Sequence, residues 1–98
     1  VANTNHGLAG VPQVANWTLV CVTADTPYAV GQEIDVASVY DSNNENAFTT
    51  GKSATNVYCA RSDDAGTTSL EWKNISTGAA FNPTVARWRA RCRAIYFP

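Results

Sequence analysis

Arg87, Arg89, Arg91 and Arg93 occupy every second position of the run Ala86-Arg-Trp-Arg-Ala-Arg-Cys-Arg-Ala-Ile-Tyr-Phe-Pro98. In a β-strand successive side chains point to opposite faces, so four guanidinium groups would line one face at intervals of ~7 Å. Trp88, Ala90, Cys92, Ala94 and Tyr96 would share the other face. Such a row must be met by carboxylates, by solvent or by an anionic ligand. The guanidinium fork matches carboxylate and phosphate geometry alike. The expectation is pairing with carboxylates of this chain or of a neighbouring subunit. Glu33, Asp35 and Glu71 are the favoured partners, because they too fall in predicted strands. An acidic or phosphorylated glycan is the second reading. Nucleic acid is disfavoured: all eight acids lie in residues 1–80 against Lys52, Arg61 and Lys73, which gives that part −5, while the last eighteen residues carry +4. A nucleic-acid binder is usually basic throughout its domain.

The other polar constellations are weaker. Asp41, Asn43 and Glu45 have the alternating oxygen spacing of a calcium loop. However, Asn46 stands where that loop needs glycine and Lys52 where it needs glutamate. With Asn44, these residues read as a solvated loop able to touch a ligand, and Asp63-Asp64 as a second exposed turn. Tyr40 beside the first loop, and Trp72 between Glu71 and Lys73, are the aromatics expected to be most accessible to a sugar. The single histidine, His6, lies in a flexible-looking segment, and no Ser/His/Asp or Cys/His pairing can be read from the spacing. The expectation is a non-enzymatic protein with no metal and no cofactor.

Cys21, Cys59 and Cys92 are an odd number, so at most one internal disulfide can form. Each sits in an apolar stretch, which favours free buried thiols over a Cys21–Cys59 or Cys59–Cys92 bridge. One histidine and no C-x-x-C give no zinc pattern. The sequons Asn16-Trp-Thr and Asn74-Ile-Ser matter only in a secretory setting, against which unpaired cysteines argue.

These residues have to be positioned by strands. Val14–Thr23 carries Trp17, Leu19 and Cys21 on one face and Val20 and Val22 on the other, as expected of a central strand. Residues 30–40 read as one bent strand or two short ones, and Thr55–Ser62 and Ser69–Ile75 as further strands. Thr26-Pro-Tyr, Thr49-Thr-Gly-Lys and Asp63-Asp-Ala-Gly66 read as turns. Residues 84–97 are open to two readings. Asn82-Pro83 could cap a helix, and Val85, Trp88, Cys92 and Ile95 fit its spacing. Strict alternation and the closing Ile-Tyr-Phe favour a strand. Residues 1–13 are small and turn-rich, which suggests an extended arm or linker ahead of a single domain over residues 14–98. Short strands with turn signals every 8–12 residues predict an all-β domain, an antiparallel β-sandwich or jelly-roll.

The chain has 98 residues, 45% of them hydrophobic, and ten aromatics, enough for one core and too apolar for disorder. No apolar run reaches the ~18 residues of a membrane span. It opens on Val1 without a methionine or a signal-like segment, as a processed product or a piece of a longer chain would. The stretches Ala54-Thr-Asn-Val-Tyr-Cys-Ala-Arg-Ser, Ser69-Leu-Glu-Trp-Lys-Asn-Ile-Ser-Thr-Gly-Ala-Ala-Phe and Ala86 to Phe97 resemble the small β-rich tip modules of tailed-bacteriophage fibres and needles. The resemblance covers residues 14–98 in texture and has no diagnostic motif, so it assigns no site residue. It implies a virion component assembled in a host cytoplasm, with secretion as the alternative. Such a component would be a homo-oligomer, by preference a trimer. It would bind a cell-surface glycan or protein, or serve as a structural part packed through its arm and its arginine-rich end.

Overall fold

A computed structural model describes residues 2–41, 45–61 and 70–97. Within them run eight strands: β1 (Ala2–Asn5), β2 (Val14–Cys21), β3 (Glu33–Asp35), β4 (Phe48–Lys52), β5 (Asn56–Arg61), β6 (Trp72–Lys73), β7 (Ala80–Phe81) and β8 (Trp88–Ile95). Two 3-10 turns, Val36–Ser38 and Val85–Arg87, are the helical elements among the described residues. The fold is all-β, and every pairing of these strands is antiparallel. One sheet has the order β3-β2-β8, a second β1-β5-β4, and β6 and β7 form a two-stranded ribbon.

β2 is the central strand that its sequence predicts, flanked by β3 and β8. Trp17, Leu19 and Cys21 on its inner face join Val57 and Cys59 of β5, with Val36, Val39, Leu70 and Trp88, in one buried cluster. The outer face departs from expectation. Val22 is exposed, and the buried residue on this face is the polar Thr18. Its hydroxyl donates to Glu33 Oε1 at 2.7 Å, so the long side chains of the flanking strands provide the cover.

The C-terminal segment is a strand preceded by one 3-10 turn. A helix would scatter the four arginines round its circumference and drive some into the core. The strand keeps Arg89, Arg91 and Arg93 in solvent while Trp88 is buried and Cys92 half-buried. The alternation places Arg87 in the strand with the other three, but Arg87 instead ends the turn. Its Nη1 donates to Ala24 O at 2.6 Å. The entry into β8 is fixed by Asp25, a buried carboxylate that accepts from Trp88 Nε1 at 2.9 Å and from the Thr84 N–H at 2.8 Å.

Residues 2–13 do not form an arm. Ala2–Asn5 pairs with β5, from Ala2 opposite Cys59 to Asn5 opposite Asn56. His6 Nε2 donates to Ser53 O, and Pro12 is buried. Gly10 approaches the Tyr96 ring so closely that a Cβ there would lie 2.9 Å from it. Thr49–Lys52, expected as a turn, is most of β4. The strand expected over Ser69–Ile75 is reduced, among its described residues, to Trp72–Lys73 and a bridge between Glu71 and Tyr40. The turn at Asp63–Gly66 lies outside the described residues.

Candidate functional site

The groove beside Tyr40 is built by β3 and the 3-10 turn Val36–Ser38. Asp35 Oδ1 accepts from the Ala37 N–H at 2.9 Å and caps that turn. The turn buries Val36 and leaves Ala37 and Ser38 outside. The chain then reaches Tyr40, which bridges on both sides, to Asn46 and to Glu71. With Glu71 it exchanges two backbone hydrogen bonds of 2.9 Å. The backbone is thus fixed while Tyr40 is 38% exposed, as the sequence predicts. Next to it opens a groove of about 420 Å³ whose lining includes Asp35, Ser38, Tyr40, Trp72, Lys73 and Ile75. A recess of about 60 Å³ adjoins it, shared by Tyr40, Trp72 and Lys73 with Glu71.

Trp72 reverses the expectation of accessibility. It is 3% exposed and packs edge-on against Tyr28 and Trp88, with centroids 5.9 Å and 5.0 Å away. Its Nε1–H donates to Tyr28 Oη at 2.8 Å. The alternation that turns Lys73 outward turns Trp72 inward. Trp72 therefore walls the groove from within the core and is no free stacking platform.

The arginine row lies on the outer face of the β3-β2-β8 sheet. Arg93 makes a bidentate pair with Glu33, 2.9 Å on each arm, while Arg91 stands 4.0 Å from the same carboxylate. The Arg93 hydrogen bonds first, and the Thr18 hydroxyl second, hold the Glu33 carboxyl down at about 2. Of the three carboxylates expected opposite the row, Glu33 alone bonds to it. Asp35 caps its own turn, and Glu71 is held by its backbone beside Tyr40. Among the described residues, Arg89 Nη1 donates to carbonyls of its own strand region, Trp88 O at 3.1 Å and Ala86 O at 3.5 Å. Among the described residues the row is thus part scaffold, through Glu33, and part charge without a carboxylate bonded to it.

Asp41 is buried and ties its loop, accepting from the Glu45 N–H at 3.0 Å. Asn43, Asn44, Asp63 and Asp64 lie outside the described residues. Among the described residues no three metal-ligating side chains come together. Both ring nitrogens of His6 are spent on backbone, Nε2 donating to Ser53 O and Nδ1 accepting from the Leu8 N–H. That leaves neither free to serve as a general base.

Two features escape sequence reading. Asp25 has the look of an ordinary turn residue, but it is the buried anchor of β8. Burial pushes its carboxyl up, yet the Trp88 and Thr84 bonds and the charge of Arg87 outweigh burial and hold it below the usual range. The other feature is a cleft of about 300 Å³ between β1 and β8, walled by Trp17, Val57 and Cys92. Trp17 is 4% exposed and its Nε1–H has no acceptor among the described residues, an omission worth about 1–3 kcal/mol. No local signal marks either one, since both depend on strands far apart in the chain.

Comparison with family models, with characterised proteins and with solved structures finds no match for this chain.

Proposed function

We propose that this domain is a non-enzymatic binding module whose groove beside Tyr40 takes a surface glycan. One observation carries the reading: an exposed phenol ring on a doubly bridged backbone, at the edge of an open groove lined by a carboxylate, a hydroxyl and an ammonium group. A sugar needs an aromatic face for its C–H surface and converging polar groups for its hydroxyls. Asp35, Ser38 and Lys73 offer acceptors and donors of both kinds. The resemblance to phage tail tips makes a cell-surface glycan the fitting ligand class. A glycan array should return one related set of oligosaccharides. Tyr40→Ala should weaken binding at least tenfold, or about 1.4 kcal/mol, with unchanged thermal stability. A blank array, or equal binding by Tyr40→Ala, overturns the reading.

A second reading, a structural part of a virion, is favoured by one feature. Val14 and Ile95 are opposite each other at the end of the β2–β8 pair, and Phe97 lies just beyond; all three are exposed. An apolar end of this kind suits subunit packing. Light scattering at low and high salt tests it: a trimer held by this end should persist at high salt.

A further inference from the structure

The flank where β1 and β8 stand side by side offers a second site, separate from the Tyr40 groove. Among the described residues, β8 has β2 on one side and no strand on the other, and β1 likewise ends its sheet. Between them runs the cleft lined by Thr4 and Leu8 on one side and Ala90, Cys92 and Ala94 on the other. Trp17, nine-tenths buried and without an acceptor for its Nε1–H among the described residues, is part of the same lining. The two faces of β8 therefore ask for different things. Its outer face carries Arg89 and Arg91, which Glu33 neutralises at best in part. Its inner face shows small side chains over an apolar cleft and an unmet donor.

We infer that the free edge of β8 receives an extended segment of a partner polypeptide in which acidic residues alternate with apolar ones. Added as a strand, such a segment sets every second side chain on the arginine face and the rest toward the cleft. Its carboxylates meet Arg89 and Arg91, and its apolar side chains fill the space between β8 and β1. An acceptor of the segment, or a water carried in with it, takes the Trp17 N–H. Charge decides against a second copy of this chain at the same edge. Two β8 strands laid edge to edge would set arginines against arginines, and directly opposed like charges are destabilising.

The probe is a peptide Glu-Val-Glu-Val-Glu-Val-Glu, titrated into the whole chain and followed by nitrogen-15 NMR of the three indole N–H groups. The Trp17 signal should move. Those of Trp72 and Trp88, already bonded to Tyr28 and Asp25, should stay. Arg89→Glu with Arg91→Glu should weaken binding at least tenfold. Ala90→Phe, at an exposed position over the cleft, should weaken it comparably while leaving the melting temperature near that of the parent. A peptide of the same composition with its glutamates in one block should bind at least tenfold less tightly. Equal binding of that peptide, or of a single-stranded DNA oligomer, would mean that the edge reads charge alone and would overturn the inference. So would a Trp17 signal that does not move, or a concentration-dependent dimer abolished by the arginine changes.

Discussion

Tyr28 holds together the aromatic part of the core, and its hydroxyl does so by accepting twice, from Trp72 Nε1 at 2.8 Å and from the Ile75 N–H at 3.3 Å. Tyr28→Phe keeps the ring contacts and leaves a buried indole N–H without a partner. It should cost about 1–3 kcal/mol in urea unfolding, with little change in the slope. Glu33 makes a pH-dependent contribution whose sign is fixed. Its carboxyl sits at about 2 in the folded chain against an ordinary 4.5. The stabilisation is therefore complete above about 4.5 and is lost as pH falls from there through 2. Urea midpoints measured across that window should drop for the parent chain and drop less steeply for Glu33→Gln. Arg89, by contrast, bonds to nearby carbonyls among the described residues. Arg89→Ala should leave stability within ~0.5 kcal/mol, as is usual for surface changes away from buried networks.

At the scale of elements, the face of β4 opposite Tyr58 shows how the sheet tolerates a residue that favours turns. Gly51 lies across from Tyr58, whose ring occupies the space where a Cβ would be. An aromatic laid over a glycine restores the cross-strand contact that glycine lacks. Tyr58→Ala should lower the melting temperature by uncovering it, on the scale of ~0.2–1 kcal/mol for a cross-strand pair. The same pairing explains what is legible in advance. β2, β5 and β8 alternate strongly and can be read from their own residues. β1, with the run Ala-Asn-Thr-Asn, has no apolar pattern, and it is a strand because β5 offers an edge. Gly51 gives β4 the look of a turn, because the residue that compensates for it is not a sequence neighbour. The candidate site divides in the same way. Tyr40 can be named from its place beside a polar loop. The groove cannot, because Asp35, Ser38 and Lys73 meet only once non-adjacent strands are in place. Trp72 misleads because its charged neighbours suggest exposure, when alternation turns it to the opposite side.

For the molecule as a whole, the three thiols report on how tightly the core is enclosed. All are free, Cys21 and Cys59 buried and Cys92 half-buried against the cleft. Burial raises the thiols of Cys59 and Cys92 above their ordinary value, which suppresses the thiolate that reacts. Native titration with a disulfide reagent should be slow, and three thiols should appear on unfolding without reductant. The distance along the chain between paired strands has a further consequence, in time rather than in space. β2 is paired along its whole length with β8. The pair is closed by Gln13 and Phe97, which bond to each other twice, side chain to backbone, across 84 residues. On a ribosome, β2 would emerge well ahead of β8 and wait unpaired on that side until β8 had followed it. Folding of the domain then waits on long loop closures, in the millisecond-to-second range of β-rich domains rather than the microseconds of helical ones. Until then the apolar face of Trp17, Leu19 and Cys21 is open to wrong partners, so yield from the cell should depend on how long that wait lasts.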